Sequence, residues 1–245
     1  KDWLLAHYMV LVAKSEKFIR DRLEKGEGNL VKELLDNFNP DILVLNEVMP
    51  DISGQVLNTL VEANYHLAIG KTDHHPYPIA RTTLIASKFK GQEFPFRLPG
   101  NAGGGAVGFE IPELKTIVLA PHPSAFSSKI RKEQLFHVKE VVQRLMSEKP
   151  DHEILVVGDF NTDADEIDPI FDELPLVRFS HPSFPSDDIY KQLNKRWQWL
   201  KPLIGLNDGQ RSFDHVIASS GWNNPKLIPY QTTSDHVALI LNFGE

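Results

Sequence analysis

Short apolar runs alternate with amphipathic stretches along this chain, and several of the runs end abruptly in a carboxylate, an amide or an imidazole. Runs at 42–45, 67–69, 82–86, 106–110, 116–120, 154–157, 213–218 and 237–241 have the length and the Val, Ile and Leu content of strands. A further segment, Leu4 to Val12, reads as a first strand or buried segment. Between the runs lie helical stripes. Ser15 caps a predicted helix through Glu24 with Phe18, Ile19 and Leu23 on one face. Leu30, Val31, Leu34, Leu35 and Phe38 form a second stripe, stopped by Asn39-Pro40. Leu135, Val138, Val141, Val142 and Leu145 line a long predicted helix from Ser128 to Met146, ended by Pro150. The pattern predicts an α/β fold. The 101–105 and 180–188 loops do not divide it, because a complete core fits on neither side, so one domain over residues 1–245 is expected.

Length and composition fit that reading. The chain has 245 residues, 41% hydrophobic and 24% charged, which are values of a globular protein. It has no Cys, so disulfide scaffolds, thiolate zinc sites and a cysteine nucleophile are excluded. The formal net charge is −7, from 26 Lys+Arg against 33 Asp+Glu, which disfavours broad attraction to polyanions while allowing a local basic cleft. The longest apolar stretch, Trp3 to Ala13, is about half the roughly 20 residues of a membrane span. The chain begins at Lys1, so the expected location stays open: cytoplasmic, or secreted or membrane-anchored with the anchor upstream. No obligate protein partner is read from the sequence, and a monomer is expected.

Loops at strand ends, held by a rigid sheet, are where sites are usually built. Five places fit: Asn46-Glu47, Pro121-His122-Pro123, Gly158-Asp159-Phe160-Asn161, Phe213-Asp214-His215 and Ser234-Asp235-His236. Each alone also admits a plain reading as a cap, a turn or a rigid loop. Their order does not. Glu47, His122, Asp159 with Asn161, Asp214, then Asp235-His236 resembles the motif series of the endonuclease/exonuclease/phosphatase superfamily. The resemblance runs from about Asp41 to Leu241 and is sharpest at 156–161 and 233–236. Ala120-Pro121-His122-Pro123, the following Arg131-x-x-Gln134 and 212–216 look closest to a bacterial membrane-anchored or secreted branch. The Cys-containing motif of inositol phosphatases is absent. The family's usual Asn at the end of the first strand has no match in Ala6-His7-Tyr8-Met9, and Asn46 stands where Gln commonly precedes the Glu.

The resemblance implies a four-layer α/β sandwich, two packed mixed β-sheets flanked by helices. It implies hydrolysis of a phosphodiester or phosphomonoester with Mg²⁺, Mn²⁺ being a substitute. DNA or another nucleic acid is the favoured substrate. A phospholipid or small phosphoester is the enzymatic alternative, and a non-catalytic binding protein with the same fold is the other. Glu47 and Asp235 are the expected metal ligands. Asp159 is expected to accept a proton from the attacking water, and Asn161 to donate to a phosphoryl oxygen or orient that water. His236 is expected to contact the scissile phosphate, with Asp214 fixing its tautomer. His122 resembles a second site histidine, and Arg81 can bind phosphate or be a solvated strand-end residue. His74-His75 is read as a loop pair rather than a metal site, and His215 as a strand residue facing away. Tyr190, Trp197 and Trp199 are read as helix packing rather than a stacking platform.

Overall fold

The computed structural model describes residues 27–48, 54–70, 82–100, 105–124, 127–180, 214–219, 226–230 and 238–242. In chain order these form α1 (Glu27–Phe38), β1 (Ile42–Val48), α2 (Gly54–Glu62), β2 (His66–Ile69), β3 (Thr82–Ser87), β4 (Gln92–Phe94) and β5 (Ala106–Ile111). A 3₁₀ turn at Pro112–Leu114 leads to β6 (Thr116–Pro121), α3 (Ser128–Glu148), β7 (Glu153–Asp159) and α4 (Ala164–Phe171). Then come β8 (Leu176–Ser180), β9 (Asp214–Ser219), β10 (Lys226–Tyr230) and β11 (Ala238–Asn242). The expected segments 4–12 and 15–24, the 101–104 turn and the 181–188 loop lie outside the described residues.

Strand alternation sets the layering, because successive side chains of a strand point to opposite faces. On β6, Ile117 and Leu119 join one buried cluster with Leu135, Val138, Val142 and Leu145 of α3 and Ile167, Ile170 and Phe171 of α4. Their neighbours Val118 and Ala120 join a second cluster with Ile85 of β3, Phe109 of β5 and Leu155 of β7. On β3, Ile85 enters that second cluster, while Leu84 and Ala86 enter a third with Val31 of α1 and Val56 and Leu60 of α2. Three apolar layers therefore separate four structural layers: helices, sheet, sheet, helices. Strands covered on both faces have no polar side, which is why they read as continuous apolar runs. Each fully buried branched side chain in these layers contributes about 1.5–3 kcal/mol.

The larger sheet has the order β4-β5-β6-β7-β9-β8 and is mixed: β6 and β7 are parallel, and the other pairs antiparallel. The facing sheet, β1-β3-β2, is antiparallel throughout its described strands, and the two sheets packed between helices form the expected α/β sandwich. Its central strand β3 pairs with both β1 and β2, whereas the parallel β6–β7 pair of the larger sheet needs the α3 crossover. β10 and β11 pair antiparallel. Helix α3 starts at Ser128, as expected, and runs two residues past Met146: Ser127 is the N-cap, its hydroxyl accepting from the Ile130 amide at 3.3 Å.

Near the end of the parallel pair, β6 and β7 come unusually close. A Cβ added to Gly158 would lie 2.2 Å from the carbonyl oxygen of Pro121. No side chain fits there. Gly158→Ala is expected to push these strand ends apart and to lower stability by about 1–3 kcal/mol, as overpacking does. Urea unfolding checks this, and an unchanged midpoint would show that the approach is not required.

Candidate active site

β6 and β7 run in the same direction and end together, and β9, antiparallel to β7, begins at that same end. Strand alternation continues past the apolar clusters. Asp159 follows Leu155 and Val157 on the inter-sheet face, and Asp214 precedes Val216 and Ala218 on it. The two carboxylates are register partners across β7 and β9. His122, directly after β6, brings its Nε2 to 3.6 Å from Asp159 Oδ2. That is an ion-pair distance, longer than a good hydrogen bond. Both residues are deeply covered, His122 at 6% exposure and Asp159 at 7%. His122 Nδ1 is buried with no hydrogen-bond partner among the described residues.

Each group is braced. The second oxygen of Asp159, Oδ1, accepts from the backbone N–H of Asn161 at 2.8 Å, closing an Asx turn. Asn161 sits in the left-handed region at φ +53°, which Asn tolerates better than most residues. Its Nδ2 donates to the carbonyl of Pro123 at 2.9 Å, tying the β7 loop to the β6 loop. The amide expected to meet substrate thus has one of its two N–H groups already in use, with one left. The loop after β6 is also held from α3. Gln134 Oε1 accepts from the Ser124 N–H at 2.8 Å, its Nε2 donates to the Pro99 carbonyl at 3.0 Å, and Arg131 donates to the Ser124 carbonyl at 3.0 Å.

The facing sheet contributes through an irregularity. Leu45 pairs with Leu84, but Val48 pairs with Thr82, so β1 carries one extra residue there. This is a β-bulge, with Glu47 left-handed at φ +58°. Before it, Ile42 and Val44 face the other sheet, and Leu43 and Leu45 face the helices. After it, Val48 faces the helices, an even-numbered residue on the face that odd-numbered residues held. The slip leaves Asn46 and Glu47 adjacent at the strand end without putting Glu47 into the helical core. Asn46 Oδ1 meets the Thr83 hydroxyl at 3.4 Å, and Glu47 is exposed.

The structure therefore brings Glu47, His122, Asp159, Asn161 and Asp214 to one end of the sandwich. Arg81, Asp235 and His236 lie outside the described residues, as do His7, His74-His75, Tyr190, Trp197 and Trp199. His215 faces away from the crevice, as alternation requires, with its Nε2 2.9 Å from the Thr162 carbonyl oxygen. In the sequence Gln134 stands out only as the end of Arg131-x-x-Gln134. Its signal was a polar residue beside Leu135, where the helix turns inward. The bulge was missed, although two polar residues breaking the run before Val48 were its trace.

The charges around His122 oppose its burial. Burial pushes the imidazole down, but the Asp159 carboxylate beside it, with Glu47 and Asp214 adding to the pull, holds it above the ordinary histidine value. The folded protein therefore binds this proton more tightly than the unfolded chain. The resulting stabilisation is complete below the unfolded value of about 6.5 and is lost as pH rises through the raised folded value. In metal-free protein the His122 ring is expected to titrate above about 6.5 by NMR. Urea unfolding of His122→Ala is expected to lack this part of the pH dependence. A ring that titrates below the ordinary value would contradict the balance of charges.

A model of the Endonuclease/Exonuclease/phosphatase family matches residues 23–236. No curated protein matches the chain significantly in sequence. Among solved structures, a variant of the 3′ phosphatase NExo from Neisseria, bound to product DNA hairpin, is similar at TM-score 0.63 and 16% identity. The match covers 88% of this chain and 93% of that one. An AP endonuclease from Archaeoglobus fulgidus is similar at TM-score 0.56 and 17% identity, over 92% and 95% of the two chains. TDP2 from C. elegans gives TM-score 0.58 and 18% identity over 86% of this chain and 67% of that one. At such identities these structures establish the fold, and the family match spans most of the sequence. The chain belongs to the endonuclease/exonuclease/phosphatase family.

Proposed function

We propose that the protein is a divalent-metal-dependent phosphoesterase that hydrolyses a phosphodiester bond, with nucleic acid, DNA foremost, as its substrate class. The observation that carries this reading is the convergence of three carboxylates, Glu47, Asp159 and Asp214, on one buried imidazole at the mouth between the sheets. One of the similar structures, a 3′ phosphatase, is bound to a product DNA hairpin, and another is named an AP endonuclease. These support the nucleic-acid choice. The net charge of −7 favours the rival within the same chemistry, a phospholipid or small phosphoester.

The donor set suits a hard cation. Three carboxylates acting on one imidazole leave an excess of negative charge whichever form the ring takes, the carboxylate donors are oxygens, and the chain has no thiol. Magnesium takes such ligands and is often held by one or two carboxylates together with substrate phosphate. Among the described residues no group of three or more His, Asp and Glu forms a metal cage. Glu47 is the residue that would hold the ion, with Asp235 as the second. An ion held there would supply positive charge against the phosphoryl oxygens.

The chain's own groups supply the rest. Asp159 accepts a proton from the attacking water, with His122 against its other side to balance the charge that moves. Asn161 keeps one amide N–H for a phosphoryl oxygen, and the Pro123 bond fixes its aim. His236 contacts the scissile phosphate, oriented by Asp214, and Arg81 adds a phosphate contact. Helix α3 holds the His122 loop through Gln134 and Arg131, so the imidazole is placed before substrate arrives.

The decisive test is magnesium-dependent turnover of plasmid DNA, single strands, a chromogenic phosphodiester and sphingomyelin. Hydrolysis of DNA is expected, and exclusive action on the lipid would move the substrate to the rival class. Glu47→Gln keeps the shape and removes the charge. It is expected to fold, to bind magnesium more weakly by calorimetry, and to lose about 10²-fold or more in rate. Undiminished magnesium binding would sink the ligand assignment.

A further inference from the structure

His215 is a buried titratable side chain that the chemistry above does not use. It follows Asp214 on β9 and is 1% exposed. Alternation turns it from the crevice to the helical side of the larger sheet, where it meets the ring of Phe160 edge-on, with centroids 5.6 Å apart and an interplanar angle of 88°. There its Nε2 lies 2.9 Å from the carbonyl oxygen of Thr162. A carbonyl oxygen only accepts, so Nε2 carries the proton and donates it.

Thr162 closes the turn that aims two site groups. Within that turn Asp159 Oδ1 accepts from the Asn161 N–H, and Asn161 holds a left-handed backbone while its side chain reaches Pro123. A non-glycine residue keeps such a backbone where its surroundings over-determine it. The bond from His215 supplies part of that determination from behind the sheet. Phe160 packs into the helical core beside it and fixes the middle of the same turn.

We infer that His215 is a positioning residue that locks the 159–162 turn from the non-crevice face of the larger sheet, and so sets the aim of Asp159 and Asn161. Consecutive residues of β9 then divide the work: Asp214 stands at the crevice, and His215 braces the loop of the neighbouring strand. The kinetic consequence rests on the phosphoesterase reading above, while the structural consequence does not.

The test compares His215→Phe with His215→Gln in the full chain. Phe keeps a ring against Phe160 and loses the N–H. Gln places an N–H donor near the position of the imidazole Nε2. His215→Phe is expected to lower kcat by about 10- to 100-fold, with KM changed by less than about threefold, as misplacement of catalytic groups does. The Asn161 amide is expected to exchange its hydrogen faster in that variant, while Leu119 and Val156 in the strands keep their protection. His215→Gln is expected to restore both. If His215→Phe fails to fold, His215→Asn replaces it, since the shorter amide falls short of Thr162 where Gln reaches. A folded variant lacking the donor, with the parent protein's kcat and Asn161 exchange, would overturn the inference. So would a Gln variant as impaired as the variant without a donor. If the unaltered protein hydrolyses no phosphoester, the functional reading fails instead, and the exchange rates still decide the role of His215.

Discussion

Between Pro121 and Gly158 two parallel strands approach more closely than any side chain at position 158 would permit. The site depends on that spacing. His122 is the next residue along one strand and Asp159 the next along the other, so the backbone approach fixes how near imidazole and carboxylate can come. The apolar layers on both faces of the larger sheet hold the strands rigidly behind this point. Bonds from Gln134, Arg131 and Asn161 then fix the loops in front of it. The Asp159 carboxylate, with Glu47 and Asp214, outweighs the cost of burial and holds the His122 imidazole above the ordinary histidine value. The price of that arrangement is an excess of negative charge, which gives a cation a physical reason to bind.

The facing sheet must deliver its carboxylate to the same place, and regular alternation would not do so. Without the extra residue in β1, Glu47 would continue the series Leu43, Leu45 and point into the helical core. The bulge removes that conflict at the cost of a left-handed Glu47, a strain of about 1–2 kcal/mol. Asn161 carries a second left-handed backbone on the opposite strand end. Asn39, Asn64 and Lys115 are left-handed elsewhere in the structure, so what distinguishes the two at the site is what they aim: Glu47 away from the helical core, and the Asn161 side chain toward Pro123.

Much of this was legible in the sequence, for a physical reason. Strands buried on both faces must be apolar at every position, so 116–120 and 154–157 stand out without any structure. The long helix was legible from its stripe. Shorter elements were not: β4 at Gln92–Phe94 is three residues long, β10 contains Pro229, and α4 contains Pro169. Tertiary burial of Ile167, Ile170 and Phe171 overrides the weak helical tendency of α4. The residue types of the site were legible from their order along the chain. Their pairing was not, because the contact of His122 with Asp159 and the Asn161 bridge to Pro123 join residues 37 or more positions apart through strand packing.

The central claim is that strand ends from both sheets form one reacting centre. It is tested most directly by a double-mutant cycle on turnover at saturating metal, joining Glu47→Gln of β1 to Asp159→Asn of β7. Groups that act as one unit lose their value together, so the double variant is predicted to be scarcely slower than the slower single variant. Strictly multiplicative losses would show that the two sheets contribute independently, and would contradict the account.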